Sequence, residues 1–171
     1  VEKALPKEQE AIIGACFVLA ASGVLLALAN HPHGGEAMQD ILSGQLLFVA
    51  WADILAFAPL YAVAILLWFG WPKVREGAWF FAIFALVVTA SVQLIGLYVV
   101  FASLILPALA VNALPSTRIR WALICGWVAV LAGVGLSVLS DLPTGPLLVF
   151  VYAVTAVLFR GFGRMAGQRV P

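Results

Sequence analysis

The residues of this chain that can do chemistry are few, and they gather in three places. His31 and His33 are its only histidines, and Glu36 and Asp40 follow them closely in a stretch that begins His31-Pro32-His33-Gly34-Gly35-Glu36. Imidazole and carboxylate are suitable ligands for zinc or manganese, and a Pro/Gly loop bends enough to bring His31, His33 and Glu36 around one ion. The spacing matches no standard metal-ligand pattern, so the same residues also read as a solvated turn in which Pro32 and Gly34-Gly35 only reverse the chain. A third reading is a proton-sensitive loop, because imidazole titrates near neutral pH.

The second place is a set of polar and helix-breaking residues within apolar sequence. Asp53 lies just after Trp51 and reads as a cap on the helix that follows, or as an intramembrane carboxylate with a function. Ser91 and Gln93 are the polar positions inside a long apolar run, where they line a pathway or bond to a neighbouring helix, and Gly96 and Pro107 are pathway positions or breaks in it. The third place, Asp141-Leu142-Pro143-Thr144-Gly145-Pro146, concentrates Asp141, Pro143, Gly145 and Pro146 in one break. Non-helical backbone at membrane depth is tolerated where protein buries it or where it lines a cavity. No nucleophile–base pair, phosphate loop or HExxH pattern occurs, so no catalytic residue is assigned and the chain does not read as an enzyme.

What must position these residues is a membrane bundle. From Ala78 to Leu114 there are 37 positions without a charge, too many for the about 20 residues of one bilayer crossing and about right for two. The chain is 64% hydrophobic and 10% charged with a mean hydropathy of +1.11, against about 25% charged residues in soluble domains. A net charge of +1 excludes a nucleic-acid binder. Cys16 and Cys125 lie in apolar runs and read as small hydrophobes. The sequence opens at Val1 on charged residues that lead into a span, with no cleavable signal, which fits either simple processing or a missing N-terminal portion.

The expected fold is all-α, a polytopic bundle of about six crossings with broken helices, over residues 11–29, 54–71, 78–96, 98–114, 121–139 and 147–159 of a single transmembrane domain. Lys3, Lys7, Lys73, Arg75, Arg118, Arg120, Arg160, Arg164 and Arg169 then all face the cytoplasm with both termini, and the histidine loop faces outward. Small residues four apart, Ala11 and Ala15, Gly23 and Ala27, Ala122 and Gly126, Ala129 and Gly133, suit close helix packing.

Two groups of stretches carry a family resemblance. Glu10-Ala11-Ile12-Ile13-Gly14, the histidine loop and Asp40-Ile41-Leu42-Ser43-Gly44 resemble the middle of the membrane subunits of zinc- and manganese-importing ABC transporters. Ser91-Val92-Gln93-Leu94-Ile95-Gly96, Leu104-Ile105-Leu106-Pro107-Ala108 and Asp141-Leu142-Pro143-Thr144-Gly145-Pro146 resemble the C-terminal half of the same subunits, in the same order. The resemblance implies a permease of the bacterial inner membrane that pairs with itself and with a cytoplasmic ATPase. It implies that an extracytoplasmic metal-binding protein hands over zinc or manganese, which crosses by alternating access as substrate, with no tightly bound cofactor.

Two features depart from the family pattern. Its members carry a further N-terminal membrane region, and they carry a longer cytoplasmic segment, docking on the ATPase, where this chain has only Pro72 to Gly77. The alternative reading is therefore an accessory subunit, derived from such a permease, that transports nothing within a larger membrane complex. On either reading the partners are membrane lipid and other subunits.

Overall fold

The computed structural model describes residues 8–29, 49–75, 77–112, 118–140 and 142–167. Six α-helices occupy them: α1 Gln9–Ala29, α2 Trp51–Gly70, α3 Ala78–Ile95, α4 Leu97–Val111, α5 Arg118–Ser140 and α6 Thr144–Gly167. A 3-10 turn, Pro72–Arg75, joins α2 to α3. The fold is an all-α polytopic bundle, and no strand occurs among the described residues.

All helices but α4 are long and apolar enough to cross a membrane. With 15 residues α4 rises only ~22 Å, short of the about 30 Å hydrocarbon core. The charge-free run is thus one spanning helix and one shorter helix, hinged at Gly96.

Helices α1, α4, α5 and α6 form the core, with α6 packed on each of the other three. Seven residues of α4 are buried, among them Val99, Leu106 and Ala110, and α6 buries Leu148, Val149, Tyr152 and Ala156. The other two helices stand outside. No residue of α2 is buried, and α3 buries only Ala90. In lipid this is no penalty, because acyl chains are as apolar as leucine and exposed side chains such as Leu66, Phe69 and Phe81 lose nothing.

The outer pair is held to itself by specific contacts. Tyr61 of α2 bonds Ser91 of α3 at 3.0 Å, and the Trp68 and Phe80 rings lie 6.1 Å apart. At the connecting turn the Arg75 guanidinium donates to the Trp68 carbonyl at 2.9 Å and lies over the Trp68 ring. Helix α2 begins three residues before the span read from the sequence, and Asp53 sits inside its first turn. There its carboxylate reaches back and accepts the Ala50 N–H at 3.0 Å, satisfying the donor of the residue that precedes the helix.

Candidate functional site

The seam between α5 and α6 follows from side-chain size. Cys125, Ala129, Gly133 and Ser137 recur every fourth residue on the buried face of α5, so α6 approaches closely. A Cβ at Gly133 would lie 2.5 Å from Leu148 Cδ2, which leaves room for hydrogen alone. The seam ends in a polar lock at the helix break. Ser137 Oγ donates to the Leu142 carbonyl at 2.9 Å. Its single proton is then committed, so it accepts from Thr144 Oγ1 at 2.7 Å. Among the sequence candidates here, Gly145 and Pro146 are buried in the first turn of α6, where proline's missing N–H is harmless, and Pro143 is half-buried. Asp141 lies outside the described residues.

A second lock closes the opposite end. The Glu8 carboxylate, only 11% exposed, accepts from Asn112 Nδ2 at 2.5 Å and from Arg160 Nη2 at 2.7 Å. Arg160 Nη1 donates to the Leu109 carbonyl at 2.8 Å, in the last turn of α4. One guanidinium therefore ties α6 to the start of α1 and to the C-terminus of α4, where exposed carbonyls favour a cation. The sequence counts Arg160 with the basic tail and gives no role to Glu8 or Asn112. The available signal was charge complementarity, an acid just before the first helix and a base near the end of the last.

The candidates on α3 and α4 divide. Ser91 Oγ donates to the Val87 carbonyl at 2.8 Å and accepts from Tyr61, so it bonds within the outer helix pair. Gln93 is exposed. Gly96 is buried at φ 88°, ψ 156°, a conformation that is essentially glycine-only, and joins α3 to α4 without an intervening loop. Pro107 is buried and lines a groove of about 530 Å³ between α4, α5 and α6. These residues do not form one polar cluster: Ser91 faces α2, Pro107 faces an apolar groove, and Gly145 and Pro146 sit in the α5–α6 seam.

His31, His33 and Glu36 lie outside the described residues. Among the described residues no three His, Cys, Asp or Glu side chains come together as a metal site would require.

A bundle of apolar helices, closed by small-residue packing and by polar locks at its ends, defines a polytopic membrane protein. Residues 75–162, more than half of the chain and nearly all of α3 to α6, match the model of the ABC 3 transport family. The chain belongs to that family and is an ABC-transporter permease protein. No curated protein and no solved structure matches it.

Proposed function

We propose that this chain acts in the uptake of a divalent metal, zinc or manganese, as the permease of an ABC importer working by alternating access. The observation that carries the reading is the family match over α3 to α6, the region that holds the Gly96 joint, the Ser137–Thr144 lock, and Asn112 and Arg160 of the lock on Glu8. On this reading a second membrane subunit, a cytoplasmic ATPase and an extracytoplasmic metal-binding protein are the partners, in the inner membrane of a bacterium. Both termini face the cytoplasm, in keeping with the placement of Lys and Arg.

His31, His33 and Glu36 are the proposed first contacts of the incoming ion, with Ser91, Gln93, Gly96, Pro107 and Asp141 to Pro146 as pathway or joint positions. The ion is substrate, and no resident cofactor is invoked. The purified chain is expected to bind zinc more weakly as pH falls below neutral, because imidazole must be neutral to coordinate. His31→Ala with His33→Ala should abolish that binding while the helical content stays constant. Unchanged zinc stoichiometry in the double variant would remove the metal role from the loop.

A second reading, an accessory subunit that moves nothing, is favoured by one observation. The α2–α3 connection contains a single four-residue turn, Pro72–Arg75, where a docking helix of two turns needs about seven residues. Co-purification of a stoichiometric ATPase in mild detergent would eliminate this reading, and isolation with other membrane subunits alone would favour it.

A further inference from the structure

The groove between α4, α5 and α6 opens on the bilayer face of the core and has no part in the two locks. Its floor is Pro107 and Tyr152, both buried, and its outer wall is the α5 ridge of Ile119, Leu123 and Trp127. The lining is apolar apart from Tyr152 and Ser103, and the Ser103 hydroxyl already donates to the Val100 carbonyl at 2.8 Å. The lining therefore suits an apolar occupant. Gly126 deepens it, since an added Cβ there would have no neighbour within 4 Å.

Length and charge select the occupant. The eleven steps from Ile119 to Val130 along α5 rise ~16 Å, about half of a 30 Å hydrocarbon core and so the depth of one leaflet. Arg120, next in sequence to the lining residue Ile119, is exposed, with no hydrogen bond or ion pair among the described residues. It lies seven residues before Trp127, so the two share a helix face with only ~20° of drift, and Arg120 sits two turns nearer the membrane boundary. A one-leaflet apolar slot with an unpaired cation beside its lining residue Ile119 has the form of an acyl chain attached to a phosphate. A second copy seated on the same face would bring two Arg120 side chains to one depth, because a two-fold axis normal to the membrane conserves depth.

We propose that this groove is a binding site for one anionic phospholipid of the leaflet at the α5 N-terminus, with an acyl chain along Leu123, Gly126 and Trp127 and the phosphate on Arg120. The site does not depend on whether the chain transports metal.

The test is intact-mass measurement of the purified full chain in mild detergent, titrated with dioleoyl phosphatidylglycerol or dioleoyl phosphatidylcholine. One phosphatidylglycerol should be retained at least fivefold more strongly than phosphatidylcholine. Gly126→Leu, which fills the groove, and Arg120→Gln should each remove that preference, and Arg120→Lys should keep most of it. Ala132→Leu, on an exposed position of α5 turned away from the groove, should change nothing. As a check that needs no folding of a bulky variant, Leu123→Cys in a Cys16→Ser background should lose the lipid when a benzyl thiol reagent is attached after purification. Equal retention of both lipids, or retention unaffected by Gly126→Leu and by the benzyl group, would mean ordinary boundary lipid and overturn the proposal. Disulfide-linked dimers through Leu123→Cys would assign the groove to a second copy and overturn it equally.

Discussion

A single methyl group added at Gly133, and separately at Gly126, isolates the energy of the α5–α6 seam. Both glycines lie inside α5, so Gly→Ala gains about 1 kcal/mol of helix propensity at either site and that gain cancels in the comparison. At Gly126 the new Cβ has no neighbour within 4 Å. At Gly133 it would lie 2.5 Å from Leu148 Cδ2, 3.1 Å from Cγ and 3.4 Å from Cα, where carbon atoms prefer about 3.5–4.0 Å. Leu148 is 1% exposed and has nowhere to swing, so α6 must back away from α5. Overpacking of this kind costs about 1–3 kcal/mol. Displacement of α6 would also stretch the Ser137–Thr144 bond. Gly133→Ala is therefore expected to be less stable than Gly126→Ala by about 1–3 kcal/mol, read as the difference in reversible unfolding by SDS in mixed micelles. Two variants within about 0.5 kcal/mol of each other, or a more stable Gly133→Ala, would refute close packing at this seam.

Arg160→Met removes a mostly buried cation and leaves the Glu8 carboxylate and the Leu109 carbonyl short of a donor. The expected cost is about 2–4 kcal/mol, between the values for exposed and fully buried pairs. In a double-mutant cycle with Glu8→Gln the two losses should fall short of additive by at least about 1 kcal/mol, and additivity would show that the lock carries no coupling. For orientation, a cysteine at Gly35 should react with an impermeant thiol reagent in intact cells and one at Arg75 should not. Arg75 is preferred to its neighbour Val74, whose side chain is buried. Labelling at Arg75 would reverse the topology.

Much of the architecture was readable because bilayer physics writes it plainly. An apolar run too long for one helix requires a joint, and Gly96, the one glycine in that run, supplies it with a backbone conformation that other residues avoid. The Ser137–Thr144 lock lies beside a break already marked by Pro143 and Pro146. Which helices form the core was not readable. Helix α2, with no buried residue, and α4, with seven, are both apolar beyond Asp53 in the first turn of α2 and Ser103 in α4, because the interior of the bundle and the lipid outside have the same polarity. In water a helix shows its buried side by hydrophobic periodicity, and in lipid that signal vanishes. Only residue size remains, and Ala129 and Gly133 carried it. The Glu8–Arg160 lock was hidden for another reason. Its members lie 152 positions apart, each in a polar flank where a charge needs no explanation.

Helix α3 carries a glycine with positive φ at each end, Gly77 at φ 73° and Gly96 at φ 88°. Continuous helix would resist a change of direction with every hydrogen bond it contains, whereas a glycine can change its torsions without loss of any helical bond. Mechanically, α3 is a connecting rod with a swivel at either end, bolted through Tyr61 and Ser91 to α2 and joined at its far swivel to α4 in the core. A displacement of the outer helix pair would reach the core through that joint, at the N-terminus of α4. The outer pair, whose only buried residue is Ala90, is thus continued into the core through one glycine, Gly96, on its α4 side.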